Sequence, residues 1–323
     1  MISAAPIGRG KALLVWAVIA AALLAVPFLK VGNYPLEVMN SAAIGIIFAI
    51  SLNLVYGYCG QISFGHAGFY AIGGYAFALV QPLTGLISGL LLVLLIGAAA
   101  SALIGLPLLR LRGHYLALGT LAFGIAVQVL ALQWTDVTGG PWGISIDPAR
   151  LFGVRLSRNY YYVVLFAAAA SFVLSVNLVR SRHGRAFQII REDEAVAQAL
   201  GVNTVLTKLA IFSISGALAA LAGALYAGQN LFVTPAIFSL GLSISPVVMV
   251  VLGGSGTPLG PVIGAIILTL LPEALHRFQE YHVLVYGFIL LLVLRFLPQG
   301  IMGLISNASP IWRTERGDAD PSR

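Results

Sequence analysis

The chain has 323 residues, of which 59% are hydrophobic and 9% charged, with a mean hydropathy of +0.96 and a formal net charge of +7. A soluble domain carries roughly 25% charged residues, so these proportions exclude one and indicate a polytopic membrane protein built from helical spans of about 20 apolar residues. Nucleic acid is not the partner that the positive charge implies, because the basic residues are scattered through short loops without a basic stripe or aromatic platform.

Arg9 and Lys11 precede an apolar run from Ala12 to Leu29. That run exceeds the h-region of a signal peptide, about 7–15 residues, and reads as an uncleaved first span with a cytoplasmic N-terminus. Asn33, Tyr34 and Pro35 mark a turn before a second span, Glu37 to Tyr56. From Val38 through Leu109 there is no Asp, Glu, Lys or Arg. Within that run, Gly57, Gly60, Gln61, Ser63, Gly65, His66 and Gly68 interrupt the apolar pattern. Lipid tolerates such a break only where the backbone faces protein or a wet cavity, so the stretch Ser51 to Ala76 reads as the wall of a pathway. Its single cysteine, Cys59, forms no intrachain disulfide and reads as a small buried hydrophobe.

A third span runs from Phe64 to Val80 and ends at Gln81-Pro82; a fourth, Leu86 to Leu109, carries Gly97, Ser101 and Gly105 at four-residue spacing. Such a small-residue row lets another helix approach closely. Arg110 and Arg112 close this span, and a fifth follows from Tyr115 to Trp134. Thr135 to Asn159 is aqueous, its Gly, Pro and Asp being turn chemistry rather than a phosphate loop. The sixth span, Tyr160 to Val179, opens on three tyrosines, as expected of rings at a membrane surface.

Arg180 to Lys208 is the longest charged segment, and Leu209 to Pro272 is again free of formal charge. Leu209 to Gly228 has a second small-residue row, Gly216, Ala220, Ala224 and Gly228; further spans run Leu240 to Leu252, Val262 to Leu275 and Tyr281 to Leu297. About ten crossings result. The basic residues Arg9, Lys11, Arg110, Arg112, those of the Arg180 to Lys208 segment and the C-terminal arginines then fall on one side, against Lys30, Arg150, Arg155, Arg158 and Arg277 on the other, which places both termini in the cytoplasm. One transmembrane domain, residues 1–305 with a cytoplasmic connector at 180–208, is expected, followed by a disordered cytoplasmic tail at 306–323. The two uncharged runs each hold a span ending in Gly-Gln, Gly60-Gln61 and Gly228-Gln229, that continues through a Gly/Pro/Ser-rich break. An inverted repeat accounts for this; coincidence among glycine-rich helices is the other reading.

The chemistry is one of absences. GGSGTPLG, Gly253 to Gly260, lacks the Gly-Lys-[Ser/Thr] ending of a nucleotide loop, and there is no metal-spaced cluster, no hydrolase motif and no buried acid chain of a proton pump. No catalytic residue, metal or cofactor is assigned. His66 is the one ionisable group in mid-run: either it lines the pathway with Gln61 and Ser63, or it is a neutral His bonded to a facing carbonyl. Tyr70 lies on the same helical face, and Gln229 is taken as a further pathway candidate. The segment Arg185 to Gly201 reads as one amphipathic helix, with Phe187, Ile190, Val196, Ala199 and Leu200 apolar among Arg191, Glu192, Asp193, Glu194 and Gln198, and with Gly201 as C-cap. Its acidic run argues against an anionic lipid surface, leaving a partner groove or docking on its own bundle.

GQISFGHAGFYAIGGYA (Gly60 to Ala76), SRHGRAFQIIREDEAVAQALGVNTVLTKLAIFSISGALAALAGALYA (Ser181 to Ala227) and VVMVVLGGSGTPLGPVIGA (Val247 to Ala265) together resemble the permease subunits, of the LivM type, of branched-chain amino acid ABC importers. The resemblance covers about Val38 to Pro298. It implies the ABC importer permease architecture in a bacterial inner membrane, with a second homologous permease, two cytoplasmic ATP-binding subunits and a periplasmic solute-binding protein as partners. ATP-driven alternating access and hydrophobic amino acids as cargo follow from it, with urea, short amides or other amino acids as the alternative. An ion-coupled secondary carrier is the reading from another class. The resemblance further implies that Arg185, Arg191, Glu192, Asp193, Glu194, Ala195 and Gly201 belong to the helix that couples to the ATPase. Glu194-Ala195-Val196 and Gly201 resemble the importer motif there, with Val for its second Ala and the Gly one residue late.

Overall fold

A computed structural model describes residues 33–111, 113–148, 150–151, 154–155, 159–275, 287, 291 and 300–303. The expected first span, nearly all of the last one and the tail lie outside these residues. Helix α1 is Asn33–Leu52 and runs on through a π-helical turn, Asn53–Tyr58. It is followed by α2 His66–Thr84, α3 Leu86–Leu108, α4 His114–Gln133 and the short α5 Thr135–Thr138. After β1 Ile144–Ser145, β2 Arg150–Leu151 and β3 Val154–Arg155 come α6 Tyr160–Arg180, α7 Arg182–Glu192 and α8 Glu194–Ala199. Then follow α9 Thr204–Asn230, β4 Phe232–Val233, α10 Leu240–Gly253 and α11 Gly260–Leu275.

Eight expected spans are therefore helices with ends moved by a few residues: Asn33, Tyr34 and Pro35, expected as a turn, open α1, whose first turn tolerates a proline, and two further shifts have a local cause. The third span does not stop at Gln81-Pro82 but carries Pro82 in its last turn, where the ring forfeits the single bond to the Ala78 carbonyl and only Leu83 and Thr84 follow in the helix. The seventh starts at Thr204 rather than Leu209 because Asn203 caps it, its side chain accepting from Leu206 N at 3.1 Å.

Hydropathy does not separate inner from outer helices here; side-chain size does. The apolar windows of α1 and α9 are 78% and 72% buried, those of α3, α4 and α6 only 22%. Helix α9 is central because it is narrow. A Cβ on Gly73 of α2 would sit 1.9 Å from the Ala220 carbonyl oxygen, and one on Gly223 would sit 1.9 Å from that of Tyr70. The two predicted small-residue rows meet each other: Gly97 faces Ala220, Ser101 faces Gly216, and Gly105 faces Phe212 and Leu209. Ser101 adds a hydroxyl bond to the Ser213 carbonyl at 3.2 Å.

Helix α1 packs on α10 and α11 much as α9 packs on α2 and α3, and α1 and α9 pack on each other. They are antiparallel: Gln229 bonds the Glu37 carbonyl near one end, and Ser215 bonds the Ser51 carbonyl further along. The two halves thus share one packing plan of the kind that an inverted repeat calls for.

The tyrosines opening α6 correct the expectation of a surface belt. Tyr160 and Tyr161 are buried, and the Tyr160 hydroxyl donates to the Leu225 carbonyl at 2.9 Å, filling the space left by Gly228. In the aqueous stretch, β1 pairs with β4, so the loops after α4 and α9 meet at the same end of the bundle.

Candidate functional site

The polar break after α1 leads into a buried hydrogen-bond chain. Ser63 Oγ lies 3.1 Å from His66 Nδ1, His66 Nε2 lies 2.7 Å from Ser215 Oγ, and the Ser215 hydroxyl donates to the Ser51 carbonyl at 2.5 Å. Glycine-rich sequence makes this approach feasible: Gly65 lies against the Thr120 backbone of α4, and Phe64 N donates to Thr120 Oγ1 at 3.0 Å. His66 is 1% exposed, and its ring is held between α2 and α9 by hydroxyls rather than by a facing carbonyl. Removing it leaves two hydroxyls short of a partner, each costing about 1–3 kcal/mol. His66→Ala is therefore expected to melt several degrees lower in detergent, with His66→Gln intermediate. Unchanged melting with lost uptake would instead make His66 a solute-contacting group.

Tyr70, one turn on, stands in an aromatic cluster. Its ring centroid is 4.9 Å from Phe48, 5.8 Å from Tyr226 and 6.3 Å from Phe238; Phe238 is also 5.6 Å from Tyr75. Phe238 comes from the loop after β4, so the cluster is closed from the end opposite the polar break. Gln61 is buried at the start of the break, and Gln229 lies apart from it, its amide donating to the Glu37 carbonyl at 3.2 Å and reaching Ser41 Oγ at 3.3 Å. Gln61 Oε1, Gln229 Oε1 and the Tyr75 hydroxyl are buried without a partner among the described residues. An apolar cleft of about 660 Å³ between α3, α6 and α9, lined by Leu90, Phe166 and Leu218 among others, lies away from these groups.

The charged connector is not one helix. Asp193 is extended (φ −155°, ψ 119°) and separates α7 from α8, its carboxylate accepting from Ala195 N and Val196 N at 2.7 and 3.2 Å. An Asp immediately ahead of a new helical turn, accepting from the N–H groups two and three residues on, is a strong N-cap, which overrides the continuous amphipathic pattern. The apolar residues divide accordingly. Phe187, Ile190 and Ala197 are buried against the bundle, whereas Val196 and Leu200 are 50% and 66% exposed. Gly201 (φ +80°) ends α8, with Gly201 N bonded to the Gln198 carbonyl and Val202 N to that of Ala197, a Schellman close.

Of the connector residues singled out in the sequence, Glu194 pairs with Lys208 of α9 at 2.6 Å, Asp193 is the cap, and Arg185, Glu192 and Ala195 are exposed. Arg191 is also exposed, but its guanidinium reaches the Gly57 carbonyl in the π-turn of α1. Sequence reading passed over Ser51, Asn53, Thr120, Ser215 and Phe238. The first four are uncharged hydrogen-bonding side chains inside apolar spans, a signal available in SLNLVYG and FSISG.

A family described as "Branched-chain amino acid transport system / permease component" matches residues 34–294. The chain is 37% identical over 304 residues to the high-affinity branched-chain amino acid transport system permease protein LivM of Salmonella typhimurium, covering 85% of this chain and 71% of that protein. It is 36% identical to LivM of Escherichia coli K12, with the same coverage, and 28% identical over 293 residues to the permease protein LivH of that strain, covering 83% and 94%. No solved structure matches.

Proposed function

Because this chain belongs to the family of branched-chain amino acid transport system permease components, we propose that it is the membrane gate of an ATP-driven importer for branched-chain amino acids and that α8 is the surface its ATPase grips. The observation that carries the second half is the division of the connector. Helix α7 is anchored by Phe187 and Ile190, and α8 presents Val196 and Leu200 outside the bundle beside the exposed Glu192. Exposed apolar side chains on a short helix rimmed by charge suit a partner groove rather than lipid.

In this reading a LivH-like chain is the second permease, two cytoplasmic ATP-binding subunits supply the work, and a periplasmic binding protein delivers the solute. The connector end faces the cytoplasm of a bacterial inner membrane, as do both termini, in keeping with the basic residues of that end. Gln61, Ser63, His66, Tyr70 and Gln229 then belong to the pathway, which is closed on one side by the Tyr70, Tyr75 and Phe238 rings. Alternating access opens it by separating packed surfaces, the two states differing in how tightly each binds the nucleotide-loaded ATPases. The partnerless Gln61 Oε1 and Gln229 Oε1 suit a solute's ammonium, and the Tyr75 hydroxyl its carboxylate, in such an opened state.

The test is co-purification from membranes holding all subunits. Leu200→Asp and Val196→Asp are expected to cut ATPase recovery at least about tenfold, the effect of burying one unpaired charge. Glu194→Arg is the poorer probe, since it also breaks the Lys208 pair. Full recovery of the ATPase with Leu200→Asp would defeat this assignment of the surface.

A further inference from the structure

Three segments meet at one side chain. Arg191 Nη1 donates to the Gly57 carbonyl in the π-turn of α1, and glycines clear its surroundings. A Cβ on Gly256 would lie 2.6 Å from Nη1, and one on Gly60 would lie 3.1 Å from Arg191 Cγ. Both glycines have φ near +70°, at +71° and +73°, where other residues are strained. Asn53, in the same π-turn, extends the connection to the loop between α10 and α11: its Oδ1 accepts from Gly256 N at 2.9 Å and its Nδ2 donates to the Thr257 carbonyl at 3.1 Å.

A cation carried by the connector is thus bonded to the first half of the bundle at the point where that half holds the second. The π-turn closes α1 at the point where the polar break begins, and π geometry is rare outside sites of altered helix geometry. Arg191 lies one residue after Ile190 in α7, whose Phe187 and Ile190 are 2% and 5% exposed against the bundle. A bond from a guanidinium to a carbonyl is charge-assisted and stronger than one between neutral groups, and Arg191 makes it from an exposed position.

We propose that Arg191 is a positioning residue for transport: the pin through which displacement of α7 and α8 reaches the π-turn of α1 and the Gly254 to Leu259 loop. The inference rests on α8 being the gripped surface. Without the pin the ATPase still docks and turns over, but its stroke is not delivered to the pathway.

The test is made on the whole importer in proteoliposomes, reading ATP hydrolysis and amino acid uptake together. Arg191→Ala is expected to keep wild-type ATPase recovery and hydrolysis and to lose about tenfold or more in uptake per ATP, the loss of one charge-assisted bond. Should that variant fail to fold, Arg191→Lys, which keeps stem and charge but not the fork, carries the same expectation at smaller amplitude. A covalent substitute separates positioning from stability. A Cβ on Gly60 would lie 3.5 Å from that of Arg191, within disulfide range. In a Cys59→Ala background, Gly60→Cys with Arg191→Cys is expected to be uncoupled when reduced and to regain coupling when oxidised. Normal coupling in Arg191→Ala, a cysteine pair that does not oxidise, or an oxidised pair that stays uncoupled overturns the proposal. Loss of the ATPase from Arg191→Ala overturns it too, making Arg191 a docking residue; retention by Leu200→Asp strikes the reading beneath it instead.

Discussion

Gly73→Val and Gly223→Val are expected to abolish recovery of folded, monodisperse protein from membranes. At both positions the new Cβ lands on backbone: 1.9 Å from the Ala220 oxygen in one case and 1.9 Å from the Tyr70 oxygen in the other. No rotamer change relieves a clash with a main chain that is itself inside a helix, so α2 and α9 must move apart. That separation unpacks the pair on which the rest of the bundle is assembled. Overpacking a core costs about 1–3 kcal/mol and occasionally more, and two rigid backbones place this site at or above the top of that range. Against a native stability of about 5–15 kcal/mol, such a loss is close to disabling. Gly201→Ala is the control, since nothing lies within 4 Å of its Cβ and only the φ of +80° opposes it; about 1–2 kcal/mol is expected there. Size-exclusion profiles and thermal ramps of the three variants decide the matter. A wild-type profile for Gly73→Val would mean that the crossing of α2 and α9 is not as close as described.

Asn53→Leu is expected to lower stability by about 2–4 kcal/mol, because the Gly256 N–H and the Thr257 carbonyl both lose their partner in a partly buried place. The replacement is near in volume, so the loss is of hydrogen bonds rather than of packing. Its location gives it a signature that a general destabilisation lacks. Amide hydrogen exchange in the Gly254 to Leu259 loop should accelerate far more than exchange in α3 or α4, because only that loop is held by Asn53. Uniform acceleration, or none in the loop, would be the contrary result.

Residue type alone made much of this legible. Uncharged runs locate the spans, since a charge in hydrocarbon is too costly to be placed by chance. The rows Gly97, Ser101, Gly105 and Gly216, Ala220, Ala224 announced a close helix crossing. Partner choice was not legible: that the two rows serve each other depends on how helices far apart in the chain are threaded. Tyr160 and Tyr161 show the same limit. A tyrosine at a span end suits a membrane surface and equally suits a buried bond to a carbonyl such as that of Leu225, and only Gly228 opposite decides. The connector failed as one helix because a capping Asp outweighs amphipathic periodicity, and its apolar residues were correctly identified but assigned to one face instead of two.

What the amino-acid sequence settled alone, then, is the class of solvent, the approximate limits of the eight spans that lie among the described residues, and the family. Each follows from local composition, or from motifs that are continuous in the chain. What tertiary structure decided is which helices are interior, where the Ser63, His66 and Ser215 chain closes, and that Arg191 bonds the Gly57 carbonyl while Leu200 stands clear of the bundle. The first two depend on contacts between residues over a hundred positions apart, as does the Arg191 bond to Gly57, whereas the exposure of Leu200 follows from the backbone angles of Asp193. A membrane sharpens the division: with lipid as apolar as any side chain, hydrophobicity places a helix in the bilayer but cannot choose its neighbours, and the fit of small residues and hydrogen bonds does.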